Sequence, residues 1–289
     1  MAGVREYLRS RVRGTKERRS INYKERIRSH KLAVFYRGVL GAALAVAVVA
    51  MIIVSWNNRE YEESIIVNSI PITRVEGSTY LSLGDHILTY SKDGANCMNS
   101  KGEVLWNQTY EMQNPIVYIN GYVVAIGQYN GRIIYVMNTS GRVGEITTNL
   151  PIRKFSVAAN GIVAVILDDS RITRIHLYDT SGKELVESET TMDRSGYPLD
   201  ISISPNGELL AISYLYVDRG ILKSSIAFHN FGEVGQNLSS DRFVSGYDYR
   251  GTVIPFIHFM NSNTAFAVSD DRIMFFTGSQ KPVSAGENL

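Results

Sequence analysis

The sequence predicts a mainly β domain built from repeated four-stranded antiparallel sheets, preceded by one membrane-crossing α-helix. Three observations predict it. An uncharged apolar stretch, Gly38–Trp56, stands near the N-terminus. Short runs rich in Val, Ile and Tyr fill the rest of the chain, as strands do, and no long helical pattern survives among them. Turn signals separate these runs in two interleaved registers that share a period of about 40 residues, the mark of a repeated unit.

The helix comes first in the chain. At about 1.5 Å per residue, Gly38–Trp56 spans roughly 28 Å, against a bilayer core of about 30 Å. Leu32–Tyr36 lengthen the apolar run, so the predicted span is 32–56. Arg37 lies near enough to the end to snorkel to the headgroups, and Tyr36 and Trp56 sit where aromatic belts form. A buried core helix of this length would carry a polar face. A cleaved signal peptide would have a shorter leader and a small-x-small site before Asn57, where the chain reads Val54-Ser55-Trp56.

Charge orients the helix. Residues 1–31 carry eleven Lys/Arg and three Glu, a net charge of +8, whereas residues 57–289 carry a net charge of −7. The positive-inside rule therefore predicts a cytoplasmic tail, 1–31, and an extracytoplasmic β domain over 57–277. The expected partners are the lipid bilayer, through helix and tail, and a protein or glycan on the outer domain. Anionic lipid would reward the tail by about 1 kcal/mol per basic side chain near the surface. Topology and lipid account for that charge, and no nucleic acid is expected. Gly38/Ala42 and Gly41/Ala45 are small pairs four apart, which let membrane helices approach one another.

A single cysteine, Cys97, cannot form an intrachain disulfide or a CxxC metal site. The outer domain must rely on its core, which its length permits. A disulfide-free exported domain fits a bacterial surface.

The repeat is read from its turns. One register is Gly84, Asn120-Gly121, Asn160-Gly161 and Asn206-Gly207, with glycines 37, 40 and 46 apart, followed by Asn261-Ser-Asn263. The other is Asn99-Ser-Lys-Gly102, Asn138-Thr-Ser-Gly141 and Asp179-Thr-Ser-Gly182, shortened at Asn230-Phe-Gly232, with spacings of 39, 41 and 50. The clearest unit is Ile152–Thr191. It predicts a strand at Arg153–Ala158, a doubly buried strand at Ile162–Leu167, a turn at Asp168-Asp169-Ser170, a third strand at Ile172–Tyr178 and a polar edge strand at Glu184–Thr190. Four antiparallel strands per period, graded from buried to polar, describe a propeller blade. About four blades and the start of a fifth are expected, ending near Phe276, with 278–289 as a polar unstructured tail; either the ring is small and closes with the strand near Ile65–Val75, or the chain stops short of the full domain.

Particular residues carry a resemblance. Cys97-Met-Asn-Ser-Lys-Gly-Glu-Val-Leu-Trp106 resembles the blade ending of quinoprotein-like (PQQ-type) repeats. Ile201-Ser-Ile-Ser-Pro-Asn-Gly-Glu-Leu-Leu-Ala211 resembles the strand-turn-strand of WD-type blades. The layout of basic tail, one helix and propeller resembles a family of uncharacterised membrane-anchored propeller proteins of Gram-positive anaerobes. This resemblance implies a fold and a location, but no reaction. Trp106 has no counterpart at Ile146 or Val186-Glu187, a departure from the cofactor-binding quinoproteins.

The search for chemistry yields no catalytic, cofactor-binding or metal-binding residue. His30, His86, His176, His229 and His258 fall in no metal-ligand spacing, and neither a Gly-x-Ser-x-Gly elbow nor a P-loop occurs. His176 and His229 occupy similar places near blade ends and are expected as core or edge residues. Asp168-Asp169 and Asp270-Asp271 are expected as solvated turn aspartates, Ca²⁺ ligation being the alternative. The sequons at Asn107, Asn138 and Asn237 matter only in a eukaryotic lumen. The expected function is a single-pass, membrane-anchored binding or scaffold module without a cofactor. The alternative is a quinoprotein-like cofactor-dependent enzyme or sensor, which needs convergent polar residues in the axial channel.

Overall fold

The computed structural model describes residues 23–58, 69, 76–169, 172–191 and 195–288. The chain divides into two compact units, Met1–Ser69 and Ile70–Leu289. In the first, α1 runs over Tyr23–Asn57. Its segment His30–Asn57 is long and apolar enough to cross a membrane, and none of it is buried in protein. An Ala/Val/Leu-rich stretch without proline has nothing to interrupt a helix. The helix starts before the predicted span, taking in the basic positions Arg28 and Lys31. The remainder of the basic tail, residues 1–22, lies outside the described residues.

The second unit holds twenty strands in five four-stranded antiparallel sheets, each a simple meander. Blade 1 is β1 (Thr79–Leu83), β2 (His86–Ser91), β3 (Gly94–Met98) and β4 (Val104–Thr109). Blade 2 is β5 (Pro115–Asn120), β6 (Val123–Gln128), β7 (Ile133–Asn138) and β8 (Gly141–Thr147). Blade 3 is β9 (Ile152–Val157), β10 (Val163–Asp169), β11 (Ile172–Tyr178) and β12 (Glu184–Thr191). Blade 4 is β13 (Tyr197–Ile203), β14 (Leu209–Asp218), β15 (Ile221–Asn230) and β16 (Phe243–Arg250), with the short α2 (Glu233–Leu238) between its last two strands. Blade 5 is β17 (Phe256–Asn261), β18 (Thr264–Val268), β19 (Ile273–Thr277) and β20 (Val283–Asn288).

Both turn registers fall where the period requires. The first joins the first and second strands of each blade; Gly161 and Gly207 sit there at φ +88° and +80°, a backbone state that disfavours any Cβ. The second joins the third and fourth strands. There the Asp179 carboxylate accepts from the Ser181 and Lys183 amides at 2.9 and 3.0 Å. Asn99 does the same for Lys101 and Glu103 at 2.9 and 3.0 Å. These are side-chain mimics of a backbone turn, which is why Asp or Asn recurs at that place.

Two expectations are corrected. The fifth blade is whole, because 278–289 is not an unstructured tail: β20 pairs with β19. Asp168 and Asp169 end β10 and do not form a solvated turn. Asp168 pairs with Arg153 at 2.8 Å and Asp169 with Arg174 at 2.9 Å. Ser170, the third residue of that expected turn, lies outside the described residues. Asp270 and Asp271 do lie in a turn, between β18 and β19. Asp270 accepts from the Val253 amide at 3.1 Å and Asp271 pairs with Arg272 at 2.7 Å.

Burial occurs between blades. Four apolar clusters join blade 1 to 2, 2 to 3, 3 to 4 and 4 to 5. The blades approach closely: a Cβ on Gly144 of blade 2 would lie 1.6 Å from the Thr180 carbonyl oxygen of blade 3. Trp106, singled out by its blade-ending motif, crosses from blade 1 to blade 2, where its indole N–H donates to the Asn138 carbonyl at 2.8 Å. Among the described residues, no cluster joins blade 5 to blade 1. The strand expected near Ile65–Val75, with which a small ring would close, lies outside the described residues but for Ser69.

Candidate functional site

The first strands of blades 2 to 5 pack side by side, β5 on β9, β9 on β13 and β13 on β17. Each sends alternate side chains toward the next strand, as the two-residue period of a strand dictates. Tyr118 and Asn120 occupy these positions in β5, Lys154 and Ser156 in β9, Asp200 and Ser202 in β13, and Phe256 and His258 in β17.

The second residue of each pair in blades 2 to 4 ties its blade to the next. Asn120 donates to the Val157 carbonyl at 3.2 Å. Ser156 Oγ accepts from the Ile203 amide at 3.2 Å, and Ser202 Oγ accepts from the Phe259 amide at 3.0 Å. The first residues of β5, β9 and β13, with His258 of β17, form a polar group about the axis. Lys154 Nζ donates to Asp200 Oδ1 at 2.9 Å, while Asp200 Oδ2 accepts from the Ile257 amide at 3.0 Å. Asp200 is 5% exposed, so its charge is held by these two partners and not by water. Burial pushes the Tyr118 phenol up to about 12, and the Asp200 charge adds to that. Burial also lowers the pKa of His258, and Asp200 opposes it.

The four axial side chains thus share one electrostatic centre. None of these four stands in a recognised motif; His258 is one of the five histidines that fall in no metal-ligand spacing, and Tyr118, Lys154 and Asp200 belong to no recognised pattern. A signal for two of them was nonetheless present: Lys154 and Asp200 each stand seven residues before a turn glycine, at the same place in successive repeats. Chemically the centre is a closed ion pair with a neutral phenol and imidazole beside it. It matches no nucleophile–base pair, and no group of three or more His, Cys, Asp or Glu side chains is assembled for a metal among the described residues.

A second concavity lies between the outer strands of blades 3 and 4. This cleft of about 500 Å³ is lined by Tyr214, Ser225, His229, Phe243 and Asp248 among others. His229 Nδ1 is 2.9 Å from the Asp241 carbonyl, which must accept, so Nδ1 carries the proton and Nε2 is the bare acceptor. Burial lowers the His229 pKa, with Asp241 opposing. His176 is buried in β11 of blade 3, where Nδ1 meets Glu184 at 2.9 Å. Both histidines are core residues, as their sequence positions suggested.

The His229 shift makes a stability prediction. Its folded pKa lies below the ordinary value of about 6.5, so the unfolded chain binds the extra proton first. Its contribution is complete above about pH 6.5 and is lost as pH falls through the lower, folded pKa. Thermal melting of the protein from pH 8 to pH 5 should therefore show falling stability, with a shallower fall in His229→Gln. An equal slope in the two proteins would show that His229 does not titrate in this way.

The fold defines a class: a β-propeller-like protein of five four-stranded blades. Residues 57–289 match the sequence model of a family of unknown function (DUF5711), and the chain belongs to that family. No curated protein matches it. Among solved structures, Hsv2p of Kluyveromyces lactis is similar with a TM-score of 0.51 at 12% identity, over 77% of this chain and 76% of that one. Hydrazine synthase of Kuenenia stuttgartiensis is similar with a TM-score of 0.49 at 12% identity, over 77% and 69%. The Pan2 WD40 domain of Neurospora crassa gives 0.47 at 10%, over 69% of this chain and 60% of the domain. At these identities the likeness to Hsv2p speaks for the fold alone.

Proposed function

We propose that the protein is a single-pass, membrane-anchored binding or scaffold module whose propeller faces the extracytoplasmic side and engages a protein partner. One observation carries this reading. A 28-residue apolar helix, wholly unburied, separates a segment of +8 from a β unit of net negative charge. In water such a helix would expose a continuous apolar surface, whereas in a bilayer it satisfies its backbone internally and meets lipid. The charge step orients it with the basic end in the cytoplasm. The propeller then supplies a rigid body with loops at its two ends and polar outer strands. Its axial centre already pairs its one lysine with its one aspartate, which favours binding over turnover.

The native thiol makes the topology easy to test. Cys97 is fully buried, and burial raises its pKa, so it is a poor nucleophile toward maleimide. With Ser279→Cys in the exposed turn between β19 and β20, a membrane-impermeant maleimide should label intact cells. With Ser10→Cys, labelling should need permeabilisation. The reverse pattern, or labelling of both in intact cells, would reject the orientation.

A further inference from the structure

In each of blades 1 to 4, the sheet face directed at the next blade is buried in an apolar cluster. Blade 5 carries the same kind of face, and among the described residues no apolar cluster covers it. Ile257, Phe259, Ala265, Ala267, Met274 and Phe276 look back into the blade 4–5 core. Strand alternation turns Phe256, His258, Met260, Phe266, Ile273 and Phe275 the other way. These form rows across the sheet: Phe256 is opposite Val268 and Val268 opposite Ile273, while His258 is opposite Phe266 and Phe266 opposite Phe275. The Phe256 and Phe266 rings stand 5.7 Å apart, and His258 lies 6.0 and 6.2 Å from them. Phe256 is 43% exposed, Met260 59% and Ile273 41%.

Blade 1 does not present a matching face for closure. Its outward side carries Tyr80, Thr89, Asn96 and Asn107 around a hollow of about 330 Å³. Thr89 Oγ1 and Asn96 Oδ1 are buried there without a partner. Phenylalanine rings laid over this polar side would offer neither atom a hydrogen-bond partner.

We propose that the outward face of blade 5 is a self-association surface, occupied by the same face of a second copy about a two-fold axis. A two-fold contact sets each residue near its own counterpart, so any charge on it is repelled. The positions of β17, β18 and β19 on this face hold no Asp, Glu, Lys or Arg, whereas residues 57–289 as a whole carry −7. The neutral apolar face is therefore where two copies meet at least electrostatic cost. Its size sets the strength. Five residues by four strands cover about 17 by 19 Å, roughly 300 Å², under half of the ~800 Å² per partner of a standard interface. The contact therefore depends on copies already concentrated by the membrane anchor, and in this it rests on the proposed function. Gly38 and Gly41 of α1, with open space around each, allow the anchors themselves to approach.

The test uses the full chain in its own membrane. Met260→Cys, treated with a short bismaleimide, should give a cross-linked species of twice the chain mass. Ser140→Cys, in an exposed turn of blade 2, should give none. Adding Phe256→Glu to Met260→Cys should reduce the dimer at least tenfold, while a melting curve confirms that the variant stays folded. A chain that stays monomeric, an adduct of another mass, equal dimer from Ser140→Cys, or dimer that survives Phe256→Glu would each overturn the proposal. A permeant reagent reaches Met260→Cys on either side of the membrane, so a wrong orientation and a failed dimer give different results.

Discussion

Phe228→Ala should destabilise the propeller by about 3–5 kcal/mol, the usual cost of deleting a buried aromatic ring. Phe228 is fully buried in the middle of β15. It meets Phe276 at 5.2 Å, Phe259 at 6.3 Å and Tyr247 at 6.4 Å, so it joins three strands of two blades. Sheets on both sides are pinned by inter-blade hydrogen bonds such as Ser213 Oγ to the Ile254 carbonyl. The walls therefore cannot collapse far into the void, and the cost should fall toward the upper end. Denaturant unfolding of the wild type and variant measures it. A loss under about 1 kcal/mol, the size of an ordinary surface or mildly destabilising change, would mean that blades 4 and 5 do not pack as described.

Lys154→Met should be nearly as costly, at about 3–5 kcal/mol, for a different reason. It removes the cation and leaves Asp200 buried with only the Ile257 amide as a partner. Lysine itself loses little, since its side chain is 34% exposed and reaches water. The double variant Lys154→Met/Asp200→Leu should recover much of the loss, because a buried pair replaced by apolar groups of similar size is often tolerated. Losses that simply add in the double variant would mean that the two residues do not interact.

The repeat was legible because turns obey local chemistry. Asp179 and Asn99 fold their own turns whatever surrounds them, so their spacing reported the blades before any packing was considered. Strands β9 and β10 were found within one or two residues for the same reason. The end of the domain was misread because Val283–Asn288 holds no run of apolar residues. An outer edge strand needs only a neighbour with free backbone groups, and composition does not record that neighbour. Asp168 and Asp169 looked like a turn because the residues that neutralise them, Arg153 and Arg174, lie elsewhere in the chain. The axial group was missed in the same way. Tyr118, Lys154, Asp200 and His258 are 140 residues from first to last. Only the side-by-side packing of the first strands brings them together.

The most direct test of an arc of blades with one open, self-associating face is the oxidation of two methionines in blade 5. Met260 and Met274 lie on opposite faces of the same sheet, 59% and 0% exposed. Brief peroxide treatment of native membranes, read by mass spectrometry, should leave Met274 protected both in the wild type and in Phe256→Glu. Met260 should be protected in the wild type, where a second copy covers it, and should react quickly in Phe256→Glu. Protection of Met260 in that variant would mean that the ring closes on itself. Equal reaction of both methionines would mean that blade 5 is not a packed sheet.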